Sequence, residues 1–357
     1  MIHICISFSS DGTNSPLAHA LRELGVPHRL IAGQVLLRYQ RRIWLLLVGL
    51  PQLLRMAMRS AWRSLVQAQP RPQAVVVNSH LEALVFVIAA RLLRRSTRIY
   101  LLGFIYTPRN SRVLDALRRA YFGRLFKAID GVFCHSRLEV RRDDELFRAA
   151  AGKFLFIPYG LHIHGHDTTA PAADVRTAPA LSAGRSGRDY ALLTRVFAAS
   201  GRPLHIVCDS ARALAGCATA PNIDVLRHCY DGDYAEQLRR ASMVIVPLAV
   251  DDISAGQMVL IQAMAYRKPI IATRTATLDD YLAEGDGAVL VPPGDAAALH
   301  AAVERIASDS AFAAGLAERA YAVYLERHSM PAFVGHLVRA IQLREAAVAP
   351  HGLNLDA

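Results

Sequence analysis

At 357 residues the chain exceeds what one domain core ordinarily supports, so two domains of roughly 150 to 180 residues are expected. A hydrophobic content of 53% with 20% charged residues describes a globular protein and excludes solenoids and disordered chains. The net charge of +11 calls for anionic partners, while five scattered cysteines (Cys5, Cys134, Cys208, Cys217, Cys229) without CxxC spacing exclude a disulfide framework and place the protein in a reducing, cytoplasmic compartment.

The first residues, MIHICISFSS, are too short and too lightly flanked for a signal peptide and read as a buried strand, followed by an amphipathic helix to Leu24. Between Glu23 and Glu82 there is no acid, yet Arg29, Arg38, Arg41, Arg42, Arg55, Arg59, Arg63 and Arg71 fall there. Aromatic residues are not interleaved with these arginines as stacking platforms and no DNA- or RNA-binding motif appears, so nucleic acid is not the expected partner. IWLLLVGLPQLL, Ile43 to Leu54, is well short of the roughly 20 residues of a membrane span, and Pro51 interrupts it. Beyond it Arg55, Arg59 and Arg63 recur every fourth residue among Leu54, Met58, Ala61, Trp62 and Leu65, the pattern of a basic amphipathic helix lying on an anionic membrane surface. A core helix with a solvated arginine stripe is the competing reading.

Further along, AVVVNSH, RIYLLGF, GVFCHS and KFLFIPYG alternate with helical segments. These runs are continuously apolar, as are parallel strands covered on both faces, so the first half is a βαβ domain over residues 1–165. Residues 166–179, within HIHGHDTTAPAADVRTAPA, have the composition of a linker. Alternation then resumes over 180–329 with APALSAG, PLHIVCDS, NIDVLRHC, SMVIVPL, PIIAT and AVLVPPGD, the last before a helix from Ala296. The segment 330–357 holds a last helix, Met330 to Ala347, free to cross back to the first domain. The expected fold is α/β, with two Rossmann-like, doubly wound parallel-sheet domains facing an interdomain cleft.

Five stretches carry a resemblance: IPYGL (Ile157 to Leu161), SAGRSGRDY (Ser182 to Tyr190), SMVIVPL (Ser242 to Leu248), SAGQMVLIQAMAYRKPIIAT (Ser254 to Thr273) and GAVLVPPGDAAAL (Gly287 to Leu299). In this order and spacing the second half resembles the family 4 nucleotide-sugar glycosyltransferases, whose fold is called GT-B; the first half resembles them only in its order of strands and helices. The resemblance implies a retaining transfer of a hexose from a UDP- or GDP-sugar, without a metal cofactor, to a lipid-linked or polysaccharide acceptor in cell-envelope glycan or exopolysaccharide synthesis.

The residues support a donor site by their own chemistry. Cleaving a nucleotide sugar throws charge onto a diphosphate, and Arg185 and Arg188 lie in the loop after APALSAG, where two guanidiniums can clamp it; a surface arginine pair is the alternative. Ser254 and Gln257 have capping-box spacing, which starts a helix at Ala255. Gly256 in that first turn lets a ligand approach the backbone, and the helix start is a natural diphosphate site. Gln262 lies about 9 Å further along the axis, within reach of a ribose. The family commonly places two glutamates where this chain has Ser254 and Gln262, so the sugar contacts depart from the pattern. The segment from His228 to Tyr230 borders the nucleobase.

In the first domain no histidine follows RIYLLGF, where the family often has one near the anomeric carbon; Gly103, Phe104 and Tyr106 stand there instead. Asp11 and His80 occupy strand ends facing the crevice, as a base or acceptor contact, or else as a turn residue and a helix-start residue. His162, His164 and His166 have metal-like spacing but lie on the linker without carboxylate or cysteine partners, so no metal site is expected. Two other readings stand beside the retaining transferase: an inverting enzyme with Asp11 as base, and a glycosyltransferase-like binding protein without turnover. The expected location is the inner face of the cell membrane, as a peripheral protein.

Overall fold

Strands such as β3 (Ala74–Val77) and β10 (Val244–Val246) are apolar and buried throughout, so each needs helices on both sides, which dictates parallel sheets with crossover connections. The computed structural model describes residues 1–6, 15–33, 48–163, 174–249, 254–283 and 285–348 and contains two six-stranded parallel sheets. The chain divides into two compact units, Met1–Ile157 with Val334–Ala357, and Pro158–Phe333.

In the first unit β1 (Ile2–Ile6), β2 (His28–Ala32), β3, β4 (Arg98–Leu102), β5 (Gly131–Cys134) and β6 (Phe154–Phe156) lie in the order β2-β1-β3-β4-β5-β6. The strand β2 has no counterpart among the sequence-predicted runs, because HRLIA opens on two polar residues; it is fixed by parallel pairing with β1, from Ile2 opposite His28 to Ile6 opposite Ala32. The helices are α1 (Pro16–Glu23), α2 (Leu50–Trp62, continued by a π-turn over Arg63–Gln67), α3 (His80–Leu92), α4 (Arg112–Ala128) and α5 (Arg137–Leu146). Ser15, Ser79, Ser111 and Ser136 cap α1, α3, α4 and α5, each accepting a backbone N–H in the first turn. Pro51 stands in the first turn of α2, where its missing donor costs nothing; Ile43 to Leu47 lie outside the described residues. No helix among the described residues is long and apolar enough to cross a membrane.

In the second unit β7 (Ala180–Ala183), β8 (Leu204–Val207), β9 (Ile223–Leu226), β10, β11 (Ile270–Thr273) and β12 (Ala288–Val291) lie in the order β12-β11-β10-β7-β8-β9, the Rossmann order. Successive residues of one strand serve two cores: Val244, Val246, Ile270 and Ala272 join one cluster, Met243, Ile245 and Ile271 the other. Helices α6 (Tyr190–Ser200), α7 (Asp231–Arg240), α8 (Gln257–Ala265), α9 (Ala296–Ser308) and α10 (Ser310–Val323) supply the cover. The expected single helix after Ala296 is two, because Asp309 adopts an extended backbone and caps α10 through Phe312 N at 2.9 Å.

The division between units falls after Ile157, ahead of the expected 165. Beyond it Tyr159 N donates to Tyr281 Oη at 3.0 Å and Leu161 N to the His328 carbonyl at 3.0 Å, tying that strand of chain to the second unit. Of the expected linker, residues 166–173 lie outside the described part, and Asp174 to Thr177 form a turn held by the Asp174 carboxylate. The last helix, α11 (Met330–Val348), begins in the second unit and continues in the first, where Arg344 Nε donates to the Asp130 carbonyl at 3.2 Å.

The first unit also buries a carboxylate at a cost. Asp143 on α5 is 0% exposed, its Oδ1 3.5 Å from Arg142 Nε, and burial lifts its carboxyl from 3.8 to about 7 against the pull of Arg142, with Glu139 and Asp144 adding to the rise. A folded pKa above the unfolded one means that this contribution is fully present below about pH 4 and lost as pH rises through 7. Asp143→Asn is therefore expected to stabilise the protein at pH 8 by on the order of 1 to 3 kcal/mol, an advantage that shrinks on acidification. Denaturant unfolding at pH 5 and pH 8 checks this; an equal effect at both would refute it.

Candidate functional site

In a doubly wound sheet the crevice lies beyond the strand C-termini where the strand order reverses. In the second unit this point lies between β7 and β10, and a chamber of about 810 Å³ opens there, lined by Arg185, Arg188, Tyr230, Ser254, Ala255, Gly256, Gln257 and Gln262 among others. All eight donor-side residues singled out in the sequence thus share one cavity.

The wall after β7 is the SAGRSGRDY loop, and almost every residue in it has a structural task. Ser182 Oγ donates to the Ile245 carbonyl at 2.7 Å, buried Tyr190 donates to the Gly184 carbonyl at 2.7 Å, and Asp189 caps α6 through Leu192 N at 3.0 Å. Asp189 N to the Pro247 carbonyl and Ala249 N to the Gly187 carbonyl stitch the loop to the chain leaving β10. Arg188 spends Nε on the Ala183 carbonyl (2.8 Å) and Nη1 on the Ser186 carbonyl (2.9 Å). Its guanidinium lies against Gly184, where a Cβ would come within 2.6 Å of Nη2. Burial lowers the Arg188 pKa, the signature of a cation that an anion beside it would stabilise. The two arginines are therefore unequal: Arg188 is held in place, while Arg185 is exposed on the loop.

The opposite wall is the start of α8, and here the sequence expectation is corrected. The helix begins at Gln257, not Ala255; its N-cap is Gly256, with no side-chain cap, so Ser254 and Gln257 do not form a capping box. Gly256 has φ +93, and a Cβ there would lie 2.8 Å from Val246 Cγ1. Glycine is thus required by backbone conformation and by packing on β10, besides leaving the helix end bare. The first-turn amides have no intrahelical acceptor, and Gln257, 7% exposed, has an Nε2 without a hydrogen-bond partner among the described residues. An uncapped helix end with an unpaired buried amide is chemically an anion site.

Sequence reasoning missed two further contacts. Tyr234 Oη donates to Gln262 Oε1 at 3.3 Å, so the amide oxygen is already engaged, and the Gln262 side chain is positioned by α7. Asp209, just past β8, accepts from His228 N at 2.7 Å and from Tyr230 Oη; the Tyr230 hydroxyl holds its carboxylate below the ordinary range, and Tyr230 is braced at the chamber rim. The available signal was an acid closing an apolar strand, VCDS. Among the described residues no cluster of three or more His, Cys, Asp or Glu is placed to hold a metal ion; His164 and His166 lie outside them.

In the first unit the strand order reverses between β1 and β3. His80 stands at the end of β3 as the first residue of α3, with Nδ1 3.0 Å from Tyr121 Oη and its ring edge-on to Tyr121 and Phe122; burial lowers its pKa. Asp11 lies outside the described residues. A histidine that the sequence reading overlooked, His135, follows strand β5, which β4 separates from β3. Its Nε2 is 3.6 Å from where a Gly103 Cβ would sit, and its Nδ1 is 3.1 Å from the Ile157 carbonyl. On α2, Arg55, Arg59, Arg63 and Trp62 are exposed, whereas Ala61 and Leu65, read from sequence as part of the same face, are buried.

Replacing Gly256 by Ala forces a Cβ into Val246 at a positive φ. It is expected to destabilise the protein by about 1 to 3 kcal/mol in denaturant unfolding; an unchanged midpoint would show that the helix start can relax.

Residues 191–309 match the family model described as "Glycosyl transferases group 1". No curated protein sequence matches the chain. Among solved structures, the chain is similar to a sucrose-phosphate synthase from Thermosynechococcus elongatus, with 18% identity over 97% of this chain and 99% of that one and a TM-score of 0.66. It is also similar to a UDP-forming α,α-trehalose-phosphate synthase from Burkholderia vietnamiensis, with 14% identity, 98% and 99% coverage and a TM-score of 0.64. A third is the Anabaena protein HepE, solved in complex with UDP-glucose, with 12% identity, 96% and 99% coverage and a TM-score of 0.61. With the two parallel-sheet units, these give the chain the GT-B fold, and residues 191–309 match a group 1 glycosyltransferase domain.

Proposed function

We propose that the protein transfers a hexose from a UDP- or GDP-sugar to a lipid-linked or glycan acceptor in cell-envelope glycan or exopolysaccharide synthesis, working at the cytoplasmic surface of a membrane. The observation that carries this reading is the uncapped start of α8, which opens into the same chamber as Arg185 and Arg188. A diphosphate there would meet the first-turn amides and Gln257 Nε2 on one side and guanidinium on the other. The charge that develops on the leaving group needs such partners, and they stand in for a metal ion in this reading. Gln262 supplies the ribose contact and Tyr230 the wall beside the base. That HepE was solved with UDP-glucose supports a nucleotide-sugar ligand for the fold. Retention fits a leaving diphosphate that itself takes the acceptor proton.

Because specific binding stabilises the folded state by about 2.7 kcal/mol at a hundredfold excess over Kd, UDP or GDP is expected to raise the melting temperature. Arg188→Ala should abolish that rise together with sugar transfer. If the variant binds and turns over as the parent does, the donor site lies elsewhere.

The membrane part of the proposal rests on α2, whose outer face presents Arg55, Arg59 and Arg63 beside Leu54, Met58 and Trp62. Arg55, Arg59 and Arg63 form no ion pair with any described residue. Neutralising all three is expected to remove binding to vesicles containing anionic lipid in low salt, since each basic residue near such a surface contributes about 1 kcal/mol. Unaltered vesicle binding would rule out α2 as the contact.

A further inference from the structure

The helix next to α2 exposes apolar side chains as well as burying them. A surface helix ordinarily turns its apolar stripe inward and its charges outward. On α3 the acid, Glu82, is 1% exposed, while Ile88 is 49% and Leu92 79% exposed. Ile88 and Leu92 lie on one side of the helix, four residues apart, and with Leu93 at its C-cap, 39% exposed, they give the end of α3 an outward apolar patch, while Leu84 and Val85 pack half-buried against the core of Ala83, Phe86, Val87 and Ala90. Single exposed aliphatics are ordinary, but three within six residues at the end of an otherwise well-packed helix form a patch.

Its surroundings indicate what covers it. Helices α2 and α3 make successive crossovers in the same direction across the sheet, β2 to β3 and β3 to β4, so right-handed connections place both on one face, and they pack side by side. Between Glu23 and Asp115 the only acidic residue in the sequence is the buried Glu82. Arg55, Arg59 and Arg63 on α2 and Arg91 and Arg94 at the end of α3 are exposed, and none has an ion-pair partner among the described residues. A second copy of the chain would bring two basic faces together, which opposes self-association through this surface.

We propose that α3 is the element that enters the acyl layer of an anionic membrane, with Ile88 and Leu92 buried among lipid chains while the arginines of α2 and α3 hold the headgroups. The proposal rests on the membrane reading of α2 and adds to it that arginine attraction alone does not account for binding.

The full chain is tested by sedimentation with vesicles of phosphatidylcholine, with and without phosphatidylglycerol, in low and high salt. The parent is expected to bind the phosphatidylglycerol vesicles and to keep part of that binding in high salt, because apolar burial is not screened. The double variant Ile88→Ser/Leu92→Ser should lose this salt-resistant part and bind at least about tenfold more weakly. Leu92→Asp alone, at the most exposed position, carries the same expectation should the double variant fold poorly. Binding equal to the parent's would overturn the role of α3 while leaving that of α2 intact. A parent that ignores both vesicle types, or a dimer that the double variant turns into monomers, would overturn it as well. The nucleotide-induced rise in melting temperature, measured on the same variants, reads the second unit independently, so a failure of the glycosyltransferase reading is distinguishable from a failure of this one.

Discussion

Apolar strands that must be covered on both faces govern the rest of this structure. Such strands pair in parallel, each connection then has to cross back over the sheet, and every strand C-terminus and following helix start is gathered along one edge. Helix starts carry partial positive charge and unpaired amides. The chemistry of the edge is therefore settled before any side chain is chosen, and the reversal of strand order between β7 and β10 decides where along that edge a ligand has room.

At that point the chain spends much of its hydrogen bonding on rigidity. Tyr190, Ser182, Asp189 and the two backbone links to the chain beyond β10 hold the first wall, and Arg188 is itself fixed by two carbonyls. A guanidinium that is already oriented loses little freedom when an anion arrives. The second wall is left bare instead: Gly256 caps nothing, and the buried Gln257 amide has no partner among the described residues. One wall is over-determined, and the other leaves hydrogen-bond donors unsatisfied. Beside that wall, Tyr234 fixes the orientation of Gln262 by donating to its amide oxygen.

The first unit places its polar residues differently. Glu82 and Asp143 are buried and the arginines of α2 and α3 are exposed, so the outer surface of those helices keeps its positive charge without internal neutralisation. The buried carboxylates are a local cost that the pKa of Asp143 records. The gain is a surface whose charge has one sign, and such a surface attracts anions over distances set by the ionic strength.

The amino-acid sequence by itself determined the alternation of strands and helices, the parallel character of both sheets, and the positions of the loops that carry the donor-side residues. These follow from local patterns: apolar runs, serine and aspartate caps, and glycines where the backbone turns. Only the tertiary structure decided which residue begins α8, that Gly256 is demanded by Val246 across the sheet, that Asp209 braces Tyr230, that His135 lies beside Gly103, and that α3 turns leucine outward and glutamate inward. A capping box and a positive-φ glycine cap are written with the same letters, and the two are told apart by what packs against the helix start. The direction a helix faces is likewise set by its neighbours when apolar residues occur on every side of it, as they do on α3, because periodicity then no longer singles out one face.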